Sequence, residues 1–140
     1  MDFEIKNGSS ADVELIDAHI KEFEKRNDKE RIEARLADRQ SLILIAVQHG
    51  RPIGYKVGYA LDEKVFHSWI GGVLPEFRGR GAAQLLLEAQ EKHIRLIGYE
   101  YIQVKSMNRF PAMLRLLIRN GYEITGFDTQ TTKISFQKTL

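Results

Sequence analysis

The sequence predicts an α/β fold in which one mixed sheet, of α+β character, carries helices on its faces. Three observations point there. Two helix-period patterns open the chain, three strand-period segments separated by turn residues follow, and helix and strand patterns then alternate. Strands joined by tight turns pair antiparallel, whereas a strand reached through a helical crossover pairs parallel, so the sheet has to be mixed. The predicted order is β-α-α-β-β-β-α-β-α-β-β.

Met1–Lys6 alternates apolar with polar residues and forms the first predicted strand, punctuated by Asn7-Gly8-Ser9-Ser10. Ser9 or Ser10 caps the next helix, with Asp12 suited to its first turn. Val13, Ile16, Ile20 and Phe23 give that helix its apolar stripe. Asn27-Asp28 interrupts the pattern, and Ile32 and Leu36 mark a second, shorter helix. The intervening charge run, EFEKRNDKERIEAR, is either a solvated face or a corner that recognises a polar partner, a cationic one through Glu22, Glu24, Asp28 and Glu30. Leu42–Val47 is nearly all apolar, as expected of a central strand. His49-Gly50-Arg51-Pro52 turns the chain, and Ile53–Tyr59 follows with a two-residue period. Asp62-Glu63-Lys64 turns it again, and Val65–Leu74 completes a three-strand meander.

From Ala82 a longer helix is predicted, with Ala82, Leu85, Leu86, Ala89, His93 and Leu96 on its buried side. Gln84, Glu88, Glu91, Lys92 and Arg95 lie mainly elsewhere, and Gly98 ends the helix. Tyr101–Lys105 is the strand after this crossover, expected to pair parallel to Val65–Leu74. Ser106-Met107-Asn108 breaks it. Pro111 opens a helix whose apolar side holds Met113, Leu114, Leu117 and Ile118, and Asn120-Gly121 closes it. Tyr122–Phe127 and Thr131–Gln137 form a final hairpin around Asp128-Thr129.

Composition narrows the function classes. At 140 residues, 43% hydrophobic and 29% charged, the chain suits a single domain spanning residues 1–140 with one main core. A net charge of +2 from 21 basic and 19 acidic residues is too even to imply nucleic acid. The absence of cysteine excludes disulfides, thiolate catalysis and cysteine-held metals. His19, His49 and His93 show no close metal-ligand pattern. Neither a leader pattern nor a membrane-length apolar run is present, so a soluble cytoplasmic protein, monomer or homodimer, is the expectation.

The segment RGRGAA, residues 78–83, sits at a strand-to-helix junction. A helix start exposes N–H groups without intrahelical acceptors, Gly79 and Gly81 let backbone approach a ligand closely, and Arg78 and Arg80 add charge. An anion cradle and a plain tight turn both explain it. Neither GxGxxG nor a GK[ST] phosphate loop is present, so dinucleotide binding and ATP hydrolysis lose ground. Gly71-Gly72 marks either a bulge or a frayed strand end, and Pro75 forces the strand to release. Backbone groups at Val73 and Leu74 are then able to hold an extended, amide-containing ligand beside the cradle.

VLPEFRGRGAAQLLLEAQ resembles the signature of the GCN5-related N-acetyltransferase (GNAT) superfamily, with Arg78-x-x-Gly81-x-Ala83 as its fingerprint. VKSMNRFPAMLRLLIRNGY is similar to that family's strand–Asn–helix–Gly-aromatic segment, and the likeness covers essentially the whole chain. It implies a GNAT-like acyl-CoA N-acyltransferase fold binding acetyl-coenzyme A between two parted parallel strands, 65–74 and 101–106. Val73, Leu74 and Pro75 would address the pantetheine arm, residues 78–83 (Arg78, Gly79, Arg80, Gly81, Ala82 and Ala83) the pyrophosphate, and Asn108 the pantetheine region. Asn108 is equally a turn former. The implied reaction is acetyl transfer to a primary amine by direct attack in a ternary complex, needing no metal. A non-enzymatic acyl-CoA-binding sensor is the alternative.

Many relatives carry a proton-donating tyrosine in the penultimate helix. Here Leu117 occupies that position and cannot donate. Tyr101 and Tyr122 are nearby candidates with an equally good structural reading. His67 has a useful proton affinity on a strand leading toward the split, and is otherwise a partly buried strand residue. Glu76 beside Arg78 is a surface pair or turn stabiliser before it is a base. The resemblance implies that residues 20–32 and 126–131 frame the acceptor, which puts Glu24, Asp28 and Asp128 forward, with Tyr59 and Trp69 lining the same cavity or packing in the core.

Overall fold

The computed structural model describes residues 3–140. The first half of the chain forms β1 (Glu4–Asn7), α1 (Ser10–Asp17), α2 (Lys29–Leu36), β2 (Ser41–Gln48), β3 (Arg51–Ala60) and β4 (Val65–Val73). After a 3-10 turn over Pro75–Phe77 come α3 (Ala82–Ile97), β5 (Tyr101–Met107), α4 (Pro111–Arg119), β6 (Glu123–Phe127) and β7 (Lys133–Thr139). The element order is the predicted one. Of the predicted first strand, Met1 and Asp2 lie outside the described residues.

The strands make one seven-stranded sheet in the order β1-β2-β3-β4-β5-β7-β6. β4 and β5 pair parallel, as the crossover requires, and the other neighbours are antiparallel. Side-chain alternation separates the two layers. Tyr55 on β3 points to α1, where its hydroxyl meets Asp17. The position of Gly54, one residue earlier, faces Leu86 of α3. The α1–α2 pair therefore covers one face and α3 the other, with α4 beside α3 through reciprocal amide bonds of 2.8 Å between Gln84 and Asn120.

Three local expectations are corrected. The helix expected to run to Phe23 stops at Asp17. Ile20 is fully buried but sits in an irregular loop, because the Arg26 guanidinium takes the carbonyls of Asp17 (2.6 Å), Ile20 (2.6 Å) and Phe23 (2.9 Å) that another helical turn would have used. β5 continues through Ser106 and Met107 because β7 pairs along its whole length. On α3 the buried face holds Ala82, Leu86, Leu87, Gln90, Glu91 and Ile94, while His93 is exposed and Leu96 is 78% exposed. The stripe is rotated because polar Glu91 is buried with partners: it accepts from the Tyr122 hydroxyl at 2.6 Å and from Lys138 Nζ at 2.9 Å.

Among the described residues, no helix is long and apolar enough to cross a membrane. Ser9 caps α1 in a reciprocal capping box with Asp12, and Asp28 caps α2 by accepting from the Arg31 N–H at 2.8 Å.

Candidate functional site

β4 and β5 are paired only from Val65↔Tyr101 to Ser68↔Val104, and beyond that point they part. Two sequence features open the gap. Val57 pairs with Ile70 but the next residue, Gly58, pairs with Ser68, which leaves Trp69 as an extra residue on β4 at the point of divergence. Pro75 then ends the strand in the 3-10 turn.

The backbone along the gap is partly committed. Leu74 donates its N–H to Ile53 O at 2.8 Å, and its side chain is buried in the core. By ladder alternation the amides of Gly71 and Val73 then face away from β3, toward the gap. The Val73 carbonyl accepts from Arg78 Nε at 3.0 Å, and Arg78 Nη2 also meets Glu22 at 2.6 Å. Arg78 thus ties the end of β4 to the loop after α1.

The turn that follows is built for exposed donors. Gly79 (φ 76°) and Gly81 (φ 91°) adopt left-handed backbone that side-chain-bearing residues rarely adopt, and nothing lies within 4 Å of where either Cβ would stand. Gly81 is the N-cap of α3 with no side-chain cap, and the first turn of α3 holds no acid. Its first N–H groups, at Ala82 and Ala83, therefore have no intrahelical acceptor, with the positive end of a 16-residue helix behind them. Arg80 lies 5.5 Å over the Phe77 ring, is exposed, and makes no ion pair among the described residues. Glu76 pairs with Arg51 at 3.6 Å rather than with Arg78. Asn108 is exposed in the turn after β5, two residues before the α4 N-cap Phe110.

On the opposite face of the sheet, Tyr59, His67 and Trp69 do come together. The rings of Tyr59 and His67 stand 5.4 Å apart, and those of Tyr59 and Trp69 6.1 Å, all edge-on. Guanidinium groups cover them: Arg35 lies 4.5 Å from the Trp69 ring, Arg31 5.6 Å from it, and Arg39 4.7 Å from Tyr59. His67 is buried, its Nδ1 has no partner, and burial, then the positive charges of Lys105 and Arg35, push its pKa down to about 4. These arginines were missed by sequence reading. Their four-residue spacing was the available signal.

The remaining predicted residues lie apart or are occupied. Tyr101 sits at the closed end of the β4–β5 pairing. Tyr122 gives its hydroxyl proton to Glu91, and burial together with that carboxylate raises its pKa. Leu117 is fully buried in the core. Glu24 pairs with Arg109 at 3.2 Å, and Asp28 caps α2. Asp128 accepts the Gln130 N–H at 2.8 Å in the β6–β7 turn, and such backbone bonds hold its pKa below the usual range. That hairpin tip stands at the parted end of β5, since Met107 pairs with Lys133. Among the described residues, no group of three or more His, Asp or Glu side chains is placed to hold a metal ion.

A parallel strand pair that parts beside an uncapped, glycine-turned helix start defines a GNAT-type acyltransferase fold. The chain belongs to the acetyltransferase (GNAT) family, whose model matches residues 12–122. Solved structures agree in fold. Ard1 from Thermoplasma volcanium superimposes with a TM-score of 0.82 at 13% identity, covering 100% of this chain and 99% of its own. The PaiA N-acetyltransferase from Thermoplasma acidophilum, in complex with coenzyme A, gives 0.78 at 14% identity with both chains fully covered. A phosphinothricin acetyltransferase from Sinorhizobium meliloti, in complex with acetyl-CoA, gives 0.78 at 17% identity, covering 100% of this chain and 89% of its own.

Proposed function

We propose that residues 1–140 act as a single N-acetyltransferase domain that moves an acetyl group from acetyl-CoA to a primary amine by direct attack in a ternary complex. The observation that carries this reading is the gap between β4 and β5 opening beside the left-handed turn at Gly79 and Gly81. Acetyl-CoA would supply an activated thioester. The N–H groups of residues 79–83, with Arg80, suit its diphosphate, because the space a Cβ would fill is vacant there. The Val73 amide and Asn108 suit the pantetheine arm. The Gly71 amide, facing the gap beyond the bulge, is the oxyanion donor that alternation favours.

The reaction forms a carbon–nitrogen bond and breaks a carbon–sulfur bond. Positioning both partners across the gap supplies much of the rate. The acceptor nitrogen must arrive neutral. His67, held near pKa 4, is too weak a base to deprotonate an alkylammonium efficiently. Leu117 offers no proton and that of Tyr122 is engaged, so water takes the proton that the attacking nitrogen sheds and supplies the one that the departing thiolate gains.

The same buried Leu117 is the observation favouring the second reading, a sensor that binds acyl-CoA without turnover. Free thiol release from acetyl-CoA with an amine panel separates the two. Amine-dependent multiple turnover is expected. Binding without turnover across the panel would establish the sensor, and failure to bind coenzyme A at millimolar concentration would remove both readings.

A further inference from the structure

Resting on that reading, we propose that the acceptor is a small amine carrying an anionic oxygen group, a carboxylate or phosphate, which Arg31 and Arg35 hold against Trp69. Trp69 is the extra residue of β4 where β4 leaves β5, so whatever rests on its ring is next to the gap. On the α3–α4 face Leu117 is fully buried and Gln84 and Asn120 bond to each other. On the other face Trp69 stands at the bulge, and farther along β4 Ile20 and Phe23 lie where a Gly72 side chain would stand.

That face carries three guanidinium groups close to its aromatic rings. Arg31 and Arg35, on successive turns of α2, flank Trp69, and Arg39 lies over Tyr59. None of the three forms an ion pair among the described residues. Several acids of this region are engaged elsewhere: Glu33 on Ser10, Asp28 on the α2 cap, Glu22 and Glu24 on Arg78 and Arg109, while Glu30 and Asp38 stand exposed beside Arg31 and Arg39 in the chain. Arg35 Nη1 donates to the Tyr59 hydroxyl at 3.3 Å, which fixes its fork, and the buried Nε of Arg31 has no partner at all. An arginine that stacks on an indole presents its planar donors edge-on, the geometry that grips a carboxylate or phosphate in bidentate fashion. A shallow, open depression runs along this edge of α2, lined by Arg31, Ala34, Arg35, Ala37 and Arg39.

Two measurements test this. Trp69 is the sole tryptophan, so its fluorescence reports occupancy of this face even if no turnover occurs. With coenzyme A present, the protein is titrated with β-alanine, O-phosphoethanolamine, ethanolamine and putrescine, and the same amines are compared by thiol release. An anionic amine is expected to bind and react at least tenfold better than ethanolamine, the better of the two anionic probes showing whether carboxylate or phosphate is preferred. Arg35→Gln and Arg31→Gln should each cut that preference about tenfold, with Arg35→Lys restoring part of it. Preference for ethanolamine or putrescine, or equal losses for charged and neutral amines in the variants, overturns the proposal. Selective anion binding without thiol release would instead keep this site and defeat the transfer reaction.

Discussion

Replacing Tyr55 by Phe removes one oxygen from the anchor that holds the loop after α1 against the sheet. Tyr55 is fully buried and donates to Asp17 Oδ1 at 2.8 Å, while Asp17, also buried, accepts the Asn27 N–H at 2.9 Å and Asn27 Nδ2 at 3.0 Å. Arg26 approaches the same carboxylate at 3.6 Å. A hydrogen bond to a buried charge is worth roughly 1.5–3 kcal/mol, and the long 3.4 Å bond from Asn27 to the same hydroxyl is lost with it. Tyr55→Phe should therefore cost about 2 kcal/mol. Asp17→Ala strips the carboxylate from Asn27, Tyr55 and Arg26 together and should cost roughly 3–5 kcal/mol. Urea unfolding followed by circular dichroism gives both values. Ile20 and Phe23 of this loop pack where a Gly72 side chain would stand, so a loosened anchor should also raise the acceptor KM. A loss below about 0.5 kcal/mol for Tyr55→Phe, within the range of a neutral surface change, would refute the anchor argument.

Gly81→Ala places a Cβ on φ 91°, costing about 1–2 kcal/mol and filling the cradle, so calorimetric affinity for coenzyme A should fall at least tenfold. Gly50→Ala is the control: it carries the same kind of strain (φ 77°) in the β2–β3 turn and should leave that affinity intact. Gly58→Ala drives a Cβ into the Phe66 ring and to 2.7 Å from the His67 carbonyl, so about 1–3 kcal/mol of stability should be lost in denaturant titrations. Burial lowers the pKa of Lys56 from 10.5 to about 8, against the pull of Glu91, so the folded chain sheds this proton first. Stability withheld below pH 8 then returns as pH rises from 8 toward 10.5, on the order of 3 kcal/mol in full. Tyr122, whose pKa is raised, acts in the opposite sense above pH 10, so the window for urea titrations is pH 7.5–9.5, and Lys56→Met should flatten the rise there.

Element order was legible because Gly, Pro and Asn punctuation coincides with changes of hydrophobic period, and the connections are short. The glycine turn before α3 was legible for the same reason, since RGRGAA falls between a strand-period run and a helix-period run. What escaped was whatever depends on pairing across distance. Glu91 reads as a surface residue until Tyr122 and Lys138 are found against it. Arg31, Arg35 and Arg39 repeat every four residues in KERIEARLADR, yet such an edge looks the same whether it meets water or an aromatic floor. The floor itself depends on Trp69 being the odd residue in a two-against-one register, which no local spacing encodes. Arg78 is a further case. In the sequence its charge suits an anion or solvent alike, whereas its guanidinium closes onto the Val73 carbonyl and Glu22.

The short parallel contact between β4 and β5 has a mechanical consequence. Within the sheet only four residue pairs join the strands β1–β4 to the group β5, β7 and β6. The Lys64 carbonyl, which accepts from the Glu100 and Tyr101 N–H groups, the α3–α4 amide bonds, the Glu91 contacts to Tyr122 and Lys138, and the Arg109–Glu24 and Phe23–Phe110 contacts tie the halves elsewhere. A molecule lodged between β4 and β5 would complete the seam that the polypeptide leaves unsewn, bracing one half of the sheet against the other. Amide hydrogens on both sides of that seam should then exchange more slowly when it is filled, including those of β7, which such a molecule would not touch.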